Sequence, residues 1–351
     1  MRRVDRAQQT NRFVAFAFAV VKKFGDDRCP ALAAQLAYYG FMALFPLLLV
    51  LTTILAFVAK PVEDNILTTA LQQFPVIGQQ VGRQAVHPLT GSGLGVAAGL
   101  VGLLYGSLGL AQAAQHAMAQ VWNVPGVVRP GFLSRLIRSL AFFTVAGAAL
   151  GLTTALSGMA TLTGRAGIWR VVFLLAAGAV NVAWYLAVFR VLTPADVDTR
   201  ELISGAVAGG LAYSVLLGFG TALVQHQLRQ AQAVYGQFAF VIGLMGWLYV
   251  VAQLTLYAAE MNVVRARRLW PRSIVQPPLT GADEDVLAAI AQAEERRPEQ
   301  SVRVGFDPDL ESNAAAAEGS DEEAIGPRPE GDLHGDDPGH GRAVDLERRR
   351  P

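Results

Sequence analysis

The sequence predicts an all-α membrane protein: a six-transmembrane-helix bundle with an N-terminal interfacial helix and a disordered acidic C-terminal tail. Of its 351 residues, 52% are hydrophobic and 16% are charged, whereas a soluble domain has about 25% charged residues. A helix that crosses a bilayer needs about 20 mostly apolar residues. Six segments provide them: 31–59, 92–116, 136–162, 169–191, 202–224 and 238–260.

The charges are segregated along the chain and predict its organisation. Residues 1–280 hold 21 Lys and Arg against 9 Asp and Glu, whereas residues 281–351 hold 8 against 19. The second part has too little apolar content to fold alone, although DEDVLAAIAQAEE is typical of a short helix. The predicted units are an N-terminus with an amphipathic helix (1–29), a membrane domain (30–268) and a mostly disordered tail (269–351).

Basic residues in the short loops predict the orientation, because cytoplasmic loops carry an excess of Lys and Arg. With the N-terminus inside, the inner segments carry 16 such residues and the outer loops carry 5. We therefore expect both termini to lie in the cytoplasm. The long outer loop, about 60–91, contains an amphipathic stretch, EDNILTTALQQF, that we expect to cap the outer mouth or lie on the outer leaflet.

The N-terminal apolar run FVAFAFAVV is too short to span a bilayer and lacks a cleavage site. Phe13, Phe16, Val20 and Phe24 share one helical face. This pattern favours a helix that lies in the membrane interface. A helix packed beneath the bundle is the alternative.

Pro46 interrupts the first apolar segment near its middle. A proline breaks the helical hydrogen-bond ladder, and in lipid the freed carbonyl needs a neighbouring helix or a water-lined cavity. We expect Pro46 to bend the first span without ending it. The bend either opens a cavity or only shapes the packing.

A few polar residues lie in or beside the spans. Glu260 is the acid at the edge of the last span, and acids in lipid are functional candidates; its other role is an ion pair with Arg265 or Arg267. The remaining candidates bond between helices or form an interfacial aromatic belt. These further candidate positions are Tyr38, Tyr39, Asn181, Tyr185, Gln253 and Asn262.

Four stretches resemble the YihY/BrkB family of bacterial inner-membrane proteins, which has also been labelled ribonuclease BN-like. They are LAYYGFMALFPLLL, VWNVPGVVRPGFLSR, NVAWYLAVFRVLTP and YGQFAFVIGLMGWLYVVAQLTLYAAEMN, and the resemblance covers about residues 20–268. It implies a six-span protein of the inner membrane. It also implies a role in envelope maintenance, with lipid or lipopolysaccharide export as the suggested activity.

The ribonuclease label finds no support in the residues. Metal-dependent nucleases need clustered His and Asp ligands, but the five histidines are scattered, and Cys29 is the only cysteine. No P-loop, nucleophile elbow or dinucleotide fingerprint is present. We expect no enzyme activity, no cofactor, no metal and no nucleic-acid partner.

Two functions fit these observations. In the first, the protein is a transporter or flippase for a lipid or amphipathic envelope component, with a cavity beside the first span. In the second, it is a non-transporting scaffold that recruits cytoplasmic proteins through its acidic tail. The lipid bilayer is a partner in both, and the oligomeric state is left open.

Overall fold

The computed structural model describes residue 5 and residues 8–58, 93–162, 167–193, 197–235 and 238–307. Over these residues the chain contains helices and no strand, as predicted. The helices are α1 (Arg12–Asp26), α2 (Cys29–Val58), α3 (Gly93–Val121), α4 (Phe132–Leu162), α5 (Gly167–Leu192), α6 (Thr199–Tyr235), α7 (Phe238–Arg267) and α8 (Gly281–Gln292). A single 3₁₀ turn, Gly126–Val128, lies between α3 and α4.

Each predicted apolar segment coincides with one long helix, from α2 to α7. Four stretches of the described chain are long and apolar enough to cross a membrane: Phe132–Ala149, Val171–Leu192, Thr199–Phe219 and Val241–Arg267. In α2 the corresponding apolar stretch among these residues is the shorter Cys29–Leu44. The helices therefore support a membrane protein, and the count of six spans stays a prediction.

The outer surface of the bundle is apolar. Leu140, Leu175 and Phe219 expose 71%, 69% and 75% of their surfaces. Large exposed apolar patches are rare on soluble monomers and mark surfaces that meet lipid or another protein. The exposed side of α4, α5 and α6 thus suits a hydrocarbon environment.

Helix α7 is the centre of the described packing, since it contacts α1, α2, α3 and α6. Glycine residues of α6 permit the close approach of α7 to α6. A methyl group added at Gly205 would overlap the carbonyl oxygen of Ala258, and one added at Gly209 would lie 2.8 Å from the ring of Tyr185 in α5. Gly205 and Gly209 are four residues apart in the sequence, and small residues with this spacing let helix backbones meet in lipid.

Helix α1 packs against the membrane helices through part of its predicted apolar face. The Phe24 ring stacks on Tyr257 with centroids 3.7 Å apart, and Phe16 meets Trp270 edge-on at 5.2 Å. Phe13 instead exposes 87% of its surface. These contacts match the alternative in which the helix packs beneath the bundle, and its placement at the membrane interface stays a prediction.

The folded part of the chain extends beyond the predicted start of the tail at residue 269. Residues up to Phe306 belong to the same compact unit as the membrane helices. Helix α8 lies in this extension and buries Asp283 and Val286. This helix coincides with the short helix that the sequence indicated, and the predicted domain boundaries stay predictions. Residues 308–351 and the predicted amphipathic stretch at 63–74 lie outside the described residues.

Helix α2 continues through Pro46, from Cys29 to Val58. The proline therefore does not end the helix, as the sequence predicted. The side chain of Pro46 lies outside the described side chains, so the predicted bend and cavity stay predictions.

Candidate functional site

A buried group of polar side chains joins α1, α2, α3 and α7. We call Lys23, Asp27, Cys29, Asn123 and Glu260 the Lys23 cluster. The Lys23 ammonium pairs with the Asp27 carboxylate and lies 3.2 Å from Oε2 of Glu260. The Cys29 thiol donates to Oε1 of Glu260 at 3.3 Å. The cluster therefore ties the N-terminal helix to the last long helix.

The helical repeat explains how Lys23 reaches this position. Ala15, Ala19 and Lys23 follow one another at four-residue spacing, and all three are buried. Residues with this spacing share one face of a helix, and the two alanines let α1 lie close to the bundle. Lys23 then reaches inward, with Asp27 one turn further along.

The end of α3 supplies further partners. The helix leaves its last carbonyl groups without partners inside the helix, and that of Val121 accepts from Lys23 Nζ at 2.9 Å. The carbonyl of Trp122 accepts from Arg267 at 2.7 Å. Cations at a helix C-terminus also interact favourably with the helix dipole. Asn123, in the left-handed conformation with φ 48°, ends this helix and donates to Asp27 at 3.0 Å.

The charged side chains of the Lys23 cluster are shielded from water. The side chains of Lys23 and Glu260 have no exposed surface, and that of Asp27 exposes 1%. Burial lowers the pKa of Lys23, but Glu260 and Asp27 outweigh it, so the pKa lies above its usual value. Fully ionised, the cluster holds two carboxylates against one ammonium. A buried charge without a partner is costly, and the nearby Arg267 guanidinium, which interacts electrostatically with Asp27 and Glu260, offsets part of the excess negative charge.

A second group of charges lies on the other side of α1, between this helix and the segment that follows α7. Asp283 accepts from Lys22 and from Nε of Arg272, both at 2.8 Å. Arg272 also binds Asp26 at 2.7 Å. Thr280 completes a capping box with Asp283. We call Lys22, Asp26, Arg272 and Asp283 the Asp283 cluster.

The donors around Asp283 stabilise its ionised form. Burial raises the pKa of this carboxyl group, but hydrogen bonds from Lys22, Ser273 and Thr280 outweigh it and hold the pKa far below its usual value. Because Lys22 and Lys23 are consecutive, they point to different sides of α1. One helix thus binds both the membrane bundle and the C-terminal segment.

The structure corrects the expected partner of Glu260. The sequence suggested Arg265 or Arg267, but the ion pair of Glu260 among the described residues is with Lys23. Glu260 faces the interior, whereas Arg267 lies over the ring of Trp122, 5.9 Å from its centre. The prediction was wrong because it considered only residues near Glu260 in the sequence.

The other predicted polar residues lie along the interior of the bundle. Asn181 in α5 donates to Ser214 in α6 at 2.8 Å, and the Tyr185 hydroxyl bonds Thr255 in α7 at 3.1 Å. These two bonds join neighbouring helices. They are separate from the Lys23 cluster.

Asn262 and Gln253 both lie in α7, but only the first of them forms a described hydrogen bond to another helix. Oδ1 of Asn262 accepts from Ser204 at 3.1 Å and from the backbone of Gly205, so it binds α7 to α6. Gln253 donates to Tyr249 of its own helix at 3.0 Å. The expectation of a bond between helices therefore does not hold for Gln253 in the described contacts.

Tyr38 and Tyr39 lie in the first half of α2. Tyr38 exposes 51% of its surface, and its ring meets Tyr39 edge-on at 5.3 Å. The Tyr39 ring fills the space beside Gly109 in α3, where an added methyl group would lie 2.6 Å from it. Tyr39 therefore packs between helices, and Tyr38 is free to face an interface.

Sequence reasoning missed Lys23, Asp27 and Asp283. A signal for the first two was present, since an Ala-Ala-Lys-Asp series at four-residue spacing interrupts a small apolar face with an ion pair. The signal for Asp283 was the Thr280-x-x-Asp283 pattern of a capping box. No group of three His, Cys, Asp or Glu side chains suited to a metal ion occurs among the residues that the structure describes. The expectation of no metal stays a prediction.

Comparison with known proteins gives one family. Residues 20–278 match the model of a family described as virulence factor BrkB. A UPF0761 membrane protein of Stenotrophomonas maltophilia (strain K279a) is 26% identical over 273 residues, which cover 74% of this chain and 62% of that protein. A UPF0761 membrane protein of Alkalilimnicola ehrlichii is 28% identical over 267 residues, which cover 71% of this chain and 58% of that protein.

The chain thus spans less than two thirds of the length of these two relatives. No solved structure matches. The family match covers well over half of the chain. The chain belongs to the virulence factor BrkB family of membrane proteins.

Proposed function

We propose that this protein is a transporter or flippase of the bacterial inner membrane that moves a lipid or another amphipathic component of the cell envelope. The observation that carries the proposal is the Lys23 cluster. Its ionisable side chains are shielded from water and lie at one end of an apolar helix bundle. Ionisable residues at membrane depth are expensive and typically mark ion or substrate pathways. The proposed activity needs no catalytic chemistry and no cofactor.

The proposed topology has six spans with both termini in the cytoplasm. Lys23 lies before the first span and contacts Glu260 at the end of the last span. This contact supports an even number of spans, because an even number returns the chain to its starting side of the membrane. The excess of basic residues in the inner segments gives the side.

In this proposal the Lys23 cluster links protonation to movement. A proton on Glu260 weakens its attraction to Lys23. Helix α1 then separates more easily from α7, whose neighbours α2 and α6 form the body of the bundle.

Reconstitution tests transport directly. The full chain is placed in vesicles that contain a head-group-labelled fluorescent phospholipid, and a quencher outside reports the label that reaches the outer leaflet. We expect the protein to speed this exchange when a proton gradient is imposed. We expect Glu260→Gln, which removes the charge but keeps the shape, to slow exchange at least about tenfold, equivalent to about 1.4 kcal/mol.

Glu294→Gln is the matched control, because Glu294 forms an exposed ion pair with Arg296 outside the membrane helices. We expect this variant to behave as the wild type. Exchange no faster than in protein-free vesicles, with anionic and zwitterionic lipids and either gradient direction, would contradict lipid transport.

The alternative function is a scaffold that recruits cytoplasmic proteins. Its support is the composition of residues 308–351, which hold 12 Asp and Glu against 5 Arg. The discriminating deletion starts at residue 308, because removal from 281 onward would also remove the buried Asp283. A transporter keeps its activity without residues 308–351, whereas a scaffold of this kind loses its partners.

A further inference from the structure

A basic cleft lies between the start of α1 and the end of α7. Its volume is about 710 Å³. Arg12 lines one side, and Arg265, Arg268 and Trp270 line the other. We call these four residues the arginine cleft. It lies apart from the Lys23 cluster, which is buried further along α1.

The three arginines of the cleft are exposed and make no ion pair through their guanidinium groups within the described part of the chain. Three other basic residues of α1 and of the segment after α7 do form ion pairs. Lys22, Lys23 and Arg272 each bind a carboxylate. The folded chain thus neutralises these three basic residues and leaves the arginines of the cleft available.

The acid of the N-terminal segment does not neutralise the cleft. The carboxylate of Asp5 accepts from Gln9 at 3.1 Å and from the backbone of Ile274 at 2.9 Å. These bonds lower the pKa of Asp5, although partial burial opposes them. Asp5 therefore stabilises the segment after α7 as an ionised acceptor.

Three guanidinium groups around one cleft create a positive potential that attracts anions. Guanidinium matches phosphate in shape, since its planar donors form paired, charge-assisted hydrogen bonds with phosphate oxygens. Basic pockets at the ends of membrane helices bind phosphate-bearing lipid head groups by the same chemistry. The ligand chemistry that fits the cleft is therefore a phosphate mono- or diester.

An apolar stripe beside the cleft indicates where the phosphate comes from. On α1, Phe13, Val14 and Val21 expose 87%, 47% and 55% of their surfaces, and Ala17 lies between them. An exposed apolar face with basic residues at one end is typical of helices that lie in the membrane interface. Tryptophan and arginine are also typical of the head-group level. Acyl chains can cover this stripe, whereas free phosphate cannot.

We propose that the arginine cleft binds the phosphate of an anionic phospholipid, while the acyl chains of that lipid cover the exposed face of α1. The lipid is then a resident ligand that holds α1 against the end of α7. This binding does not depend on the proposed transport, because it requires only that this end of the bundle meets a leaflet with anionic lipid.

Native mass spectrometry of the full chain in mild detergent tests this site. Dioleoyl phosphatidylglycerol and dioleoyl phosphatidylcholine are titrated separately, and bound lipid is counted. We expect the wild type to bind the anionic lipid more tightly. The triple variant Arg12→Gln, Arg265→Gln, Arg268→Gln should weaken this binding on the order of 100-fold, at roughly a factor of five for each arginine.

The matched control is Arg200→Gln, Arg297→Gln, Arg303→Gln, which removes the same charge from exposed arginines outside the cleft. It should bind the anionic lipid as the wild type does, and all proteins should elute alike in size-exclusion chromatography. Equal binding by the wild type and the cleft variant, or equal loss in both triple variants, would overturn the proposal. Displacement of the lipid by inorganic phosphate at matched concentration would also overturn it and assign the cleft to free phosphate.

Discussion

At the scale of single residues, the feature that most constrains the molecule is the burial of Lys23 between two carboxylates. An ion pair taken out of water is stable only when geometry and additional hydrogen bonds compensate for lost hydration. Here the carbonyl of Val121 and the amide of Asn123 supply such bonds. Because the groups come from four helices, a change at any one of them affects how the helices meet.

The first prediction concerns Lys23→Met. This change keeps the length of the side chain but leaves Asp27 and Glu260 without their cation, so we expect a loss of about 3–5 kcal/mol in the free energy of unfolding. Cys29 is the only cysteine and is buried in the cluster, so a thiol-reactive dye reports opening of this site. We expect the variant to label at a lower temperature than the wild type.

Arg200→Met is the control for that experiment, because Arg200 is an exposed residue outside the Lys23 cluster and the arginine cleft. It should label like the wild type. Fast labelling of native wild-type protein would contradict the burial of Cys29, and an unchanged labelling temperature for Lys23→Met would contradict the role of the ion pair.

At the scale of elements, the helices were largely predictable and their partners were not. The predicted apolar segment 31–59 permits one long helix with Pro46 inside it, and the observed helix is Cys29–Val58. Lys23 contacts Glu260 across more than 200 positions of the sequence, and no local pattern specifies such a pair. The sequence indicated that Glu260 matters, but it could not indicate the direction in which the side chain points.

The second prediction concerns the contact between α6 and α7. Gly205→Ala would place a methyl group against the backbone of Ala258, so we expect the helices to separate and the protein to lose about 1–3 kcal/mol of stability. Gly147→Ala is the control, since nothing lies within 4 Å of a methyl group added there. Thermal unfolding in detergent compares the two. Equal stability of both variants would contradict the close approach of α6 and α7.

The third prediction concerns α8 and the pH at which it detaches. The pKa of Asp283 is lowered in the folded protein from its ordinary value of 3.8, so its contribution is present above about pH 4 and is lost as the pH falls through the lower, folded value. We therefore expect Asp283→Asn to release α8 at pH 7, as measured by hydrogen exchange of residues 281–292. The difference from the wild type should shrink below pH 4.

Asp285→Asn serves as the control on the same helix, because Asp285 is exposed. It should leave exchange unchanged at every pH. If Asp283→Asn also had no effect at pH 7, the Asp283 cluster would not hold α8 in place.

At the scale of the whole molecule, both ends of the membrane domain meet at α1. Helix α1 binds α7 through Glu260 and the segment after α7 through Asp283. Composition and charge were enough to predict an all-helical membrane protein. They were not enough to predict that the C-terminal segment up to residue 306 belongs to the folded body, because a few buried charges fix its position.

The fourth prediction concerns topology. Reporter fusions after Arg83, Arg165 and Arg229 should report the outer side of the membrane, and fusions after Arg129, Arg200 and Arg272 the cytoplasm, because basic loops remain inside. An alkaline phosphatase and green fluorescent protein pair reports each side. A reversal at any of the six positions would contradict the six-span arrangement.

The most direct test of the account is a double-mutant cycle between the two ends of the membrane domain. Lys23→Met, Glu260→Gln and the double variant are unfolded in mixed detergent micelles, and the free energy of unfolding is measured for each. The account predicts that the double variant loses less than the sum of the single losses, with a coupling of about 1–3 kcal/mol. Losses that add within about 0.5 kcal/mol would show that Lys23 and Glu260 do not interact, and would contradict the link between α1 and α7.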